Sequence, residues 1–175
     1  MKKNIIIIVI IAIVAFVVLY RNNLPSTKSI LNNDYKNTSY EINGVNVKLI
    51  NGKAENKISP DSASKEGTNF FGNEARADLN NDGLEDVAFL LSQTTGGSGT
   101  FYYVVAALKT SDGYIGTNAI LLGDRIAPQN TTISSSTIIV NYADRKKDEA
   151  MVIKPSIGVS KYLKIIDNKL LEIVK

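Results

Sequence analysis

Apolar positions fall into two regimes. From Ile5 to Tyr20 sixteen successive residues carry no polar side chain except the terminal tyrosine. Beyond residue 38 the apolar residues come in short runs rich in Ile, Val, Tyr and Phe, broken every eight to twelve residues by turn signals, with no long 3.6-residue period. The first regime predicts a membrane-spanning helix and the second a β domain. Strands are expected at Phe70–Ala77, Val87–Leu91, Phe101–Leu108, Tyr114–Leu122, Thr137–Tyr142, Ala150–Ile153, Tyr162–Ile166 and Leu170–Val174. Tyr40–Ile50, with Asn43-Gly44 at its middle, reads as a hairpin. Lys57 to Thr68 reads as loop. Val87–Leu91 and Phe101–Leu108 are apolar at both parities, which places them at the centre of a sheet covered on both faces, joined by a hairpin through Gly96-Gly97-Ser98-Gly99. The expected fold class is mostly β: a single antiparallel β-sandwich or partly open barrel, preceded by one N-terminal transmembrane helix. No internal repeat supports a propeller.

The apolar run spans roughly 24 Å as a helix, slightly short of a ~30 Å hydrocarbon layer. Lys2, Lys3 and Arg21 can extend to the headgroups, and Tyr20 suits the interface. Positive charge ahead of the run puts the N-terminus inside the cytoplasmic membrane and the body outside, on the periplasmic or extracellular side. A cleaved signal peptide is the rival reading, but no small-x-small site follows the run. The expected organisation is therefore an anchor over 1–21, a polar tether over 22–38 and an extracytoplasmic domain over 39–175.

Composition removes several functions. The 175 residues include no Cys, His or Trp. That excludes an imidazole general base, a thiol nucleophile, a disulfide and a zinc-thiolate site. The formal charge is +3, yet taking Lys2 and Lys3 from the 20 basic residues leaves 18 against 17 acidic ones. Such a body lacks the basic field that nucleic acid requires. The membrane is the expected partner, reached through the N-terminal helix; a protein or glycan partner is left open.

The strongest chemical signal is Asp78-Leu-Asn80-Asn-Asp82-Gly83-Leu84-Glu-Asp86. Oxygen ligands at positions one, three, five and nine, with glycine at six, match a loop that wraps a hard cation, most often Ca²⁺. Asp78, Asn80 and Asp82 are the expected side-chain ligands. Leu84 offers its carbonyl, and Asp86 closes the shell directly or through water. Five acidic residues from Glu74 to Asp86 face Arg76 alone, and a divalent ion would relieve their repulsion. An Asn-Asp-Gly turn with solvated carboxylates is the alternative. Position twelve is Phe89 where a helix-loop-helix site has a bidentate Glu, so the loop joins strand to strand. Its affinity is expected at the weak extracellular end, about 10⁻⁴ to 10⁻³ M.

This loop resembles the calcium loop of FG-GAP repeats, which also connects two strands. That likeness implies ligands at the positions just given. Phe71-Gly-Asn-Glu74, the ion loop, Asp86–Leu90, Gly96–Tyr103, Leu121–Pro128 and Val140–Arg145 resemble, together, an uncharacterised family of exported bacterial proteins. The likeness runs from about Tyr40 to Glu172 and implies export and one all-β domain, with no activity to carry over.

Other motifs read more plainly. Thr94–Thr100 lacks the Lys-Ser/Thr ending of a phosphate loop. Tyr102, Tyr103 and Tyr114 suit either an aromatic platform or ordinary sheet packing. Asp124-Arg125 and Asp144-Arg145 place acid beside base near strand ends. The functional expectation is a calcium-stabilised binding or scaffold module. Two alternatives stand beside it: a small carboxylate-dependent hydrolase or carbohydrate-active enzyme, and a subunit of a larger calcium-dependent β assembly.

Overall fold

The two runs that are apolar at both parities become the middle of the largest sheet. They are β5 (Asp86–Thr94) and β6 (Phe101–Thr110), paired antiparallel with Phe89 opposite Val105 and Leu90 opposite Val104. Val87, Phe89 and Leu91 share one face with Tyr103, Val105 and Ala107; Ala88 and Leu90 share the other with Val104 and Ala106. Alternation sends successive side chains to opposite faces, so a strand lacking polar alternation needs cover on both sides. The computed structural model, which describes residues 34–57 and 65–174, provides that cover. The expected anchor, the tether up to residue 33 and residues 58–64 lie outside the described residues. Lys57 and Lys65–Thr68, read from sequence as loop, are strand, with Lys65 paired to Lys57 and Thr68 to Ala54. No helix among the described residues is long and apolar enough to cross a membrane.

Six strands make this sheet. The order is β3 (Lys53–Lys57), β4 (Lys65–Ala77), β5, β6 and β7 (Gly113–Gly116), and β8 (Ile120–Asp124) also pairs with β6. A second sheet has the order β12 (Lys169–Ile173), β11 (Ile157–Ile166), β10 (Thr137–Asp144), β9 (Ala127–Ser134). Ile138, Val140, Tyr142, Leu163 and Leu170 from this sheet share one core with Ala88, Leu90, Val104 and Ala106. Ladder pairing is antiparallel in all three sheets, and none closes on itself. The fold is thus mostly β with open sheets.

On the opposite face of the large sheet lies the hairpin of β1 (Ser39–Ile42) and β2 (Val45–Lys48). Asn43 and Gly44 turn it with φ of 51° and 78°, the left-handed pair that a two-residue hairpin turn requires. Residues 35–37, read from sequence as tether, form a 3-10 turn capped by the Asp34 side chain, and Tyr35 is buried. Tyr35, Tyr40 and Phe70 surround Phe89 with ring centroids 5.3–5.4 Å from it. Gly116 permits the hairpin to lie this close: a Cβ there would overlap the Ser39 carbonyl oxygen and the Tyr40 ring.

Four further local expectations change. Tyr114–Leu122 is broken at Thr117–Ala119. There Thr117 Oγ1 accepts the Ala106 amide and the Ala119 amide donates to Glu41, so the chain jogs between two pairings with β6. Asn118 fixes the jog by exchanging two hydrogen bonds with the Leu170 backbone. Ala150–Ile153 is a turn, because Ile153 N–H donates to the Ala150 carbonyl and Ser156 N–H closes the loop on Asp144. β9 forms from a segment holding Pro128, Gln129 and Asn130, at a sheet edge where a missing N–H and polar side chains are tolerated. β11 begins at Ile157, five residues before the expected Tyr162, extended by its register on β10.

Candidate metal centre

The loop from Asp78 to Asp86 joins adjacent antiparallel strands, for Ala77 is paired with Asp86. It coils back on its first residue. The two Asp78 carboxylate oxygens accept the amides of Asp82 (3.1 Å) and Gly83 (2.9 Å). Asn80 Oδ1 also accepts the Asp82 amide, Asn80 Nδ2 donates to Asp82 Oδ2 at 2.9 Å, and Asp82 Oδ1 accepts the Leu84 amide at 2.8 Å. Asn81 and Gly83 adopt φ of 63° and 84°, and glycine meets the second without a Cβ penalty. Ser136, in the β9–β10 turn, donates its hydroxyl to the Asp78 carbonyl and ties the loop to the second sheet.

Asp86 behaves differently. It is fully buried, and its carboxylate accepts the Leu79 amide at 2.9 Å and the Lys109 amide at 2.7 Å. Burial pushes its pKa above the ordinary carboxylate value against the pull of those two amides, and Asp82 and Asp78 add to the rise. Leu79, beside it, is buried in the core between the two sheets. The loop is therefore pinned from below by one apolar and one acidic side chain. Asp86 joins three backbone segments, a role its loop position did not suggest; the available signal was its place immediately before a fully apolar strand.

Hydrogen bonds link Asp78, Asn80, Asp82 and the Leu84 backbone at the exposed rim. Asp86 is not drawn to that rim. Among the described residues no group of three or more His, Cys, Asp or Glu side chains is gathered as for a metal ion. The donors nonetheless suit a hard cation: every side chain concerned offers oxygen, and a carboxylate that accepts two amides retains further lone pairs.

The other motifs resolve into bracing. Thr100 N–H donates to Asp124 Oδ1, and Arg125, at φ 49°, donates its amide to the Thr100 carbonyl. The Arg125 guanidinium meets Asp124 Oδ2 at 2.7 Å. Arg145 donates to the Arg125 and Ile153 carbonyls. These contacts lock the glycine-rich hairpin, the β8–β9 turn and the β10–β11 loop together. The Arg125 hydrogen bond holds the Asp124 carboxyl below its ordinary pKa, over a smaller opposing effect of burial and with help from the Thr100 amide. A lowered folded value stabilises above the unfolded value and is lost as pH falls through the folded one. The difference in denaturation midpoint between the native chain and Asp124→Asn should therefore shrink below about pH 4. A constant difference from pH 7 to pH 3 would rule the contribution out.

Tyr102 and Tyr103 point to opposite faces of β6. Tyr102 packs edge-on against Phe71, and the Tyr103 hydroxyl accepts from Asn43. Tyr114 sits against Tyr35, so the three tyrosines share no platform. Cavities of about 520 Å³ and 400 Å³ each include a single carboxylate, Glu41, and one of about 270 Å³ includes none. None of the three offers the paired carboxyls of a glycoside hydrolase.

No protein-family model, curated protein or solved structure matches the chain, and the resemblance to FG-GAP loops and to exported bacterial proteins rests on the motifs themselves.

Proposed function

We propose that this chain is a binding or scaffold module: a β-sandwich stabilised by Ca²⁺ and held outside the cytoplasmic membrane by its N-terminal apolar segment. One observation carries the reading, the coil of Asp78–Leu84 around the Asp78 carboxylate, with Asn81 and Gly83 in the left-handed region. The coil concentrates oxygen donors at a surface turn. Asp78, Asn80, Asp82 and the Leu84 carbonyl would hold the ion, with Asp86 contributing from the buried side. When bound, Ca²⁺ supplies two positive charges where Asp78, Asp82 and Asp86 otherwise repel one another, and it would clamp the β4–β5 connection. Support for a non-catalytic role comes from the missing His and Cys and from cavities lined by at most one acid.

Calcium titration of the detergent-solubilised full chain tests the ion. At a free Ca²⁺ concentration one hundred times the dissociation constant, the domain should gain about 2.7 kcal/mol, seen as a higher melting temperature. Asp78→Ala and Asp82→Ala should each abolish the gain, while Mg²⁺, which demands tighter octahedral geometry, should give less. Absence of both heat and melting shift up to 10 mM Ca²⁺ would sink the metal reading. Capture of membrane or envelope components with and without Ca²⁺ tests the scaffold role, and no retained partner in either condition would count against it.

A further inference from the structure

We infer that the β10–β11 loop, Arg145 to Ser156, is a contact tip for an anionic lipid surface. Its apolar residues face water: Val152 is 87% exposed, with Met151 and Ile153 at 43% and 45% and the neighbouring Ile157 at 41%. Lys146, Lys147 and Lys154 flank them and are also exposed. Between Arg145 and Ser156 four basic residues oppose Asp148 and Glu149. Apolar side chains that enter the acyl boundary, ringed by lysines that reach phosphate, are the pattern of an interfacial membrane contact.

The loop is built to hold this shape. Arg145 Nε donates to the Ile153 carbonyl at 2.6 Å, Glu149 accepts the Lys146 amide, and the Ser156 amide closes the base on Asp144 at 2.8 Å. Those bonds keep Met151–Ile153 projecting when collapse onto the sheet would bury them. The second sheet also separates charges. β10 begins beside Ser136, which contacts the acidic loop, and ends at Asp144; its eight residues place the basic tip roughly 26 Å from the acidic end. An anionic surface would attract the tip and repel the region from Glu74 to Asp86.

The lipid occupant follows from chain length and charge together. Only twelve residues, Asn22 to Asn33, separate the apolar N-terminal run and Arg21 from Asp34, and a chain of that length spans at most roughly 40 Å. If the run is the anchor proposed above, the domain cannot leave the bilayer surface and the tip meets lipid at high effective concentration.

Because the chain contains no cysteine, a single label reads one place. The full chain carrying Val152→Cys with an environment-sensitive fluorophore is reconstituted into vesicles of phosphatidylglycerol and phosphatidylcholine. Emission should shift to the blue and be quenched by spin-labelled lipid, while the same label at Val45, exposed on the β1–β2 hairpin, stays in water. Pure phosphatidylcholine, or Lys146→Glu, Lys147→Glu and Lys154→Glu combined, should remove the shift. A label at 152 that remains wet in anionic vesicles overturns the inference, whether or not the chain floats with them. A shift that survives charge reversal, or that tracks protein density and not lipid charge, overturns it too and points to a protein contact. Resistance to carbonate extraction reports the anchor separately: a chain that washes off while the label still shifts on added vesicles keeps the tip and loses the anchor.

Discussion

Asp86→Ala lowers stability by about 2–5 kcal/mol in the absence of divalent ions, a large share of the roughly 5–15 kcal/mol typical of a folded domain. The substitution strips the acceptor from the buried Leu79 amide and the partly buried Lys109 amide. Each N–H left without a partner costs about 1–3 kcal/mol. An opposing effect exists, since burial raises the Asp86 pKa and removing the acid relieves that cost. The amides prevail because they stay in place after the carboxylate is gone; water entering the vacated space sets the lower end of the range. Asp82→Ala, at the exposed rim, should cost about 1 kcal/mol, because the amide it releases can turn to solvent. Denaturant midpoints in chelator give the comparison. Equal losses for the two variants would show that Asp86 is an ordinary loop ligand and not the joint of β4, β5 and β6. The pair of variants also separates structure from ion binding: Asp82→Ala should abolish the calcium response in a domain that is still folded.

How far the chain announces its fold depends on which residues had to satisfy two demands. β5 and β6 were legible because Val87–Leu91 and Phe101–Leu108 lack polar alternation, and only a doubly covered strand tolerates that. The Asn43-Gly44 turn was legible because few residue pairs accept two positive φ values. β9 was not. Its Ala-Pro-Gln-Asn-Thr-Thr stretch has weak strand propensity and forms through pairing with β10, a non-local cause. Ala150–Ile153 misled in the other direction: an apolar run normally means burial, and here the Arg145 and Ser156 hydrogen bonds hold it outward. The same division runs through the metal centre. Spacing alone placed Asp78, Asn80, Asp82 and Gly83 in one turn, because local geometry governs an Asx-rich loop. Nothing local indicated that Asp86 would accept an amide from Lys109, twenty-three residues away.

Phe89→Ala should cost about 3–5 kcal/mol, the other large effect, and should act chiefly on the N-terminal side of the domain. The ring is fully buried and is the centre of an aromatic cluster, 5.4 Å from Tyr35, 5.4 Å and perpendicular to Tyr40, and 5.3 Å from Phe70. Such pairs add about 0.5–1.5 kcal/mol each beyond their burial. Their loss leaves a cavity under the 3-10 turn, where Tyr35 donates its hydroxyl to Glu74 at 2.6 Å and Arg76 also reaches Glu74. Burial and the Glu74 hydrogen bond push the Tyr35 phenol up to about 12, so it remains a donor throughout the neutral range. Loosening Tyr35 therefore weakens a polar clasp, shared with the Lys36–Glu74 ion pair, that fixes the start of the domain to β4. Leu90→Ala, the next residue, removes a side chain from the opposite face and should cost about 2–5 kcal/mol without touching that clasp. Hydrogen exchange distinguishes the two. Amides of residues 36–42 should exchange faster in Phe89→Ala, and those of β10 and β11 in Leu90→Ala. If both variants loosen the same amides, the two faces of the large sheet do not bury independent cores, and the N-terminal end of the domain is not clasped through Phe89.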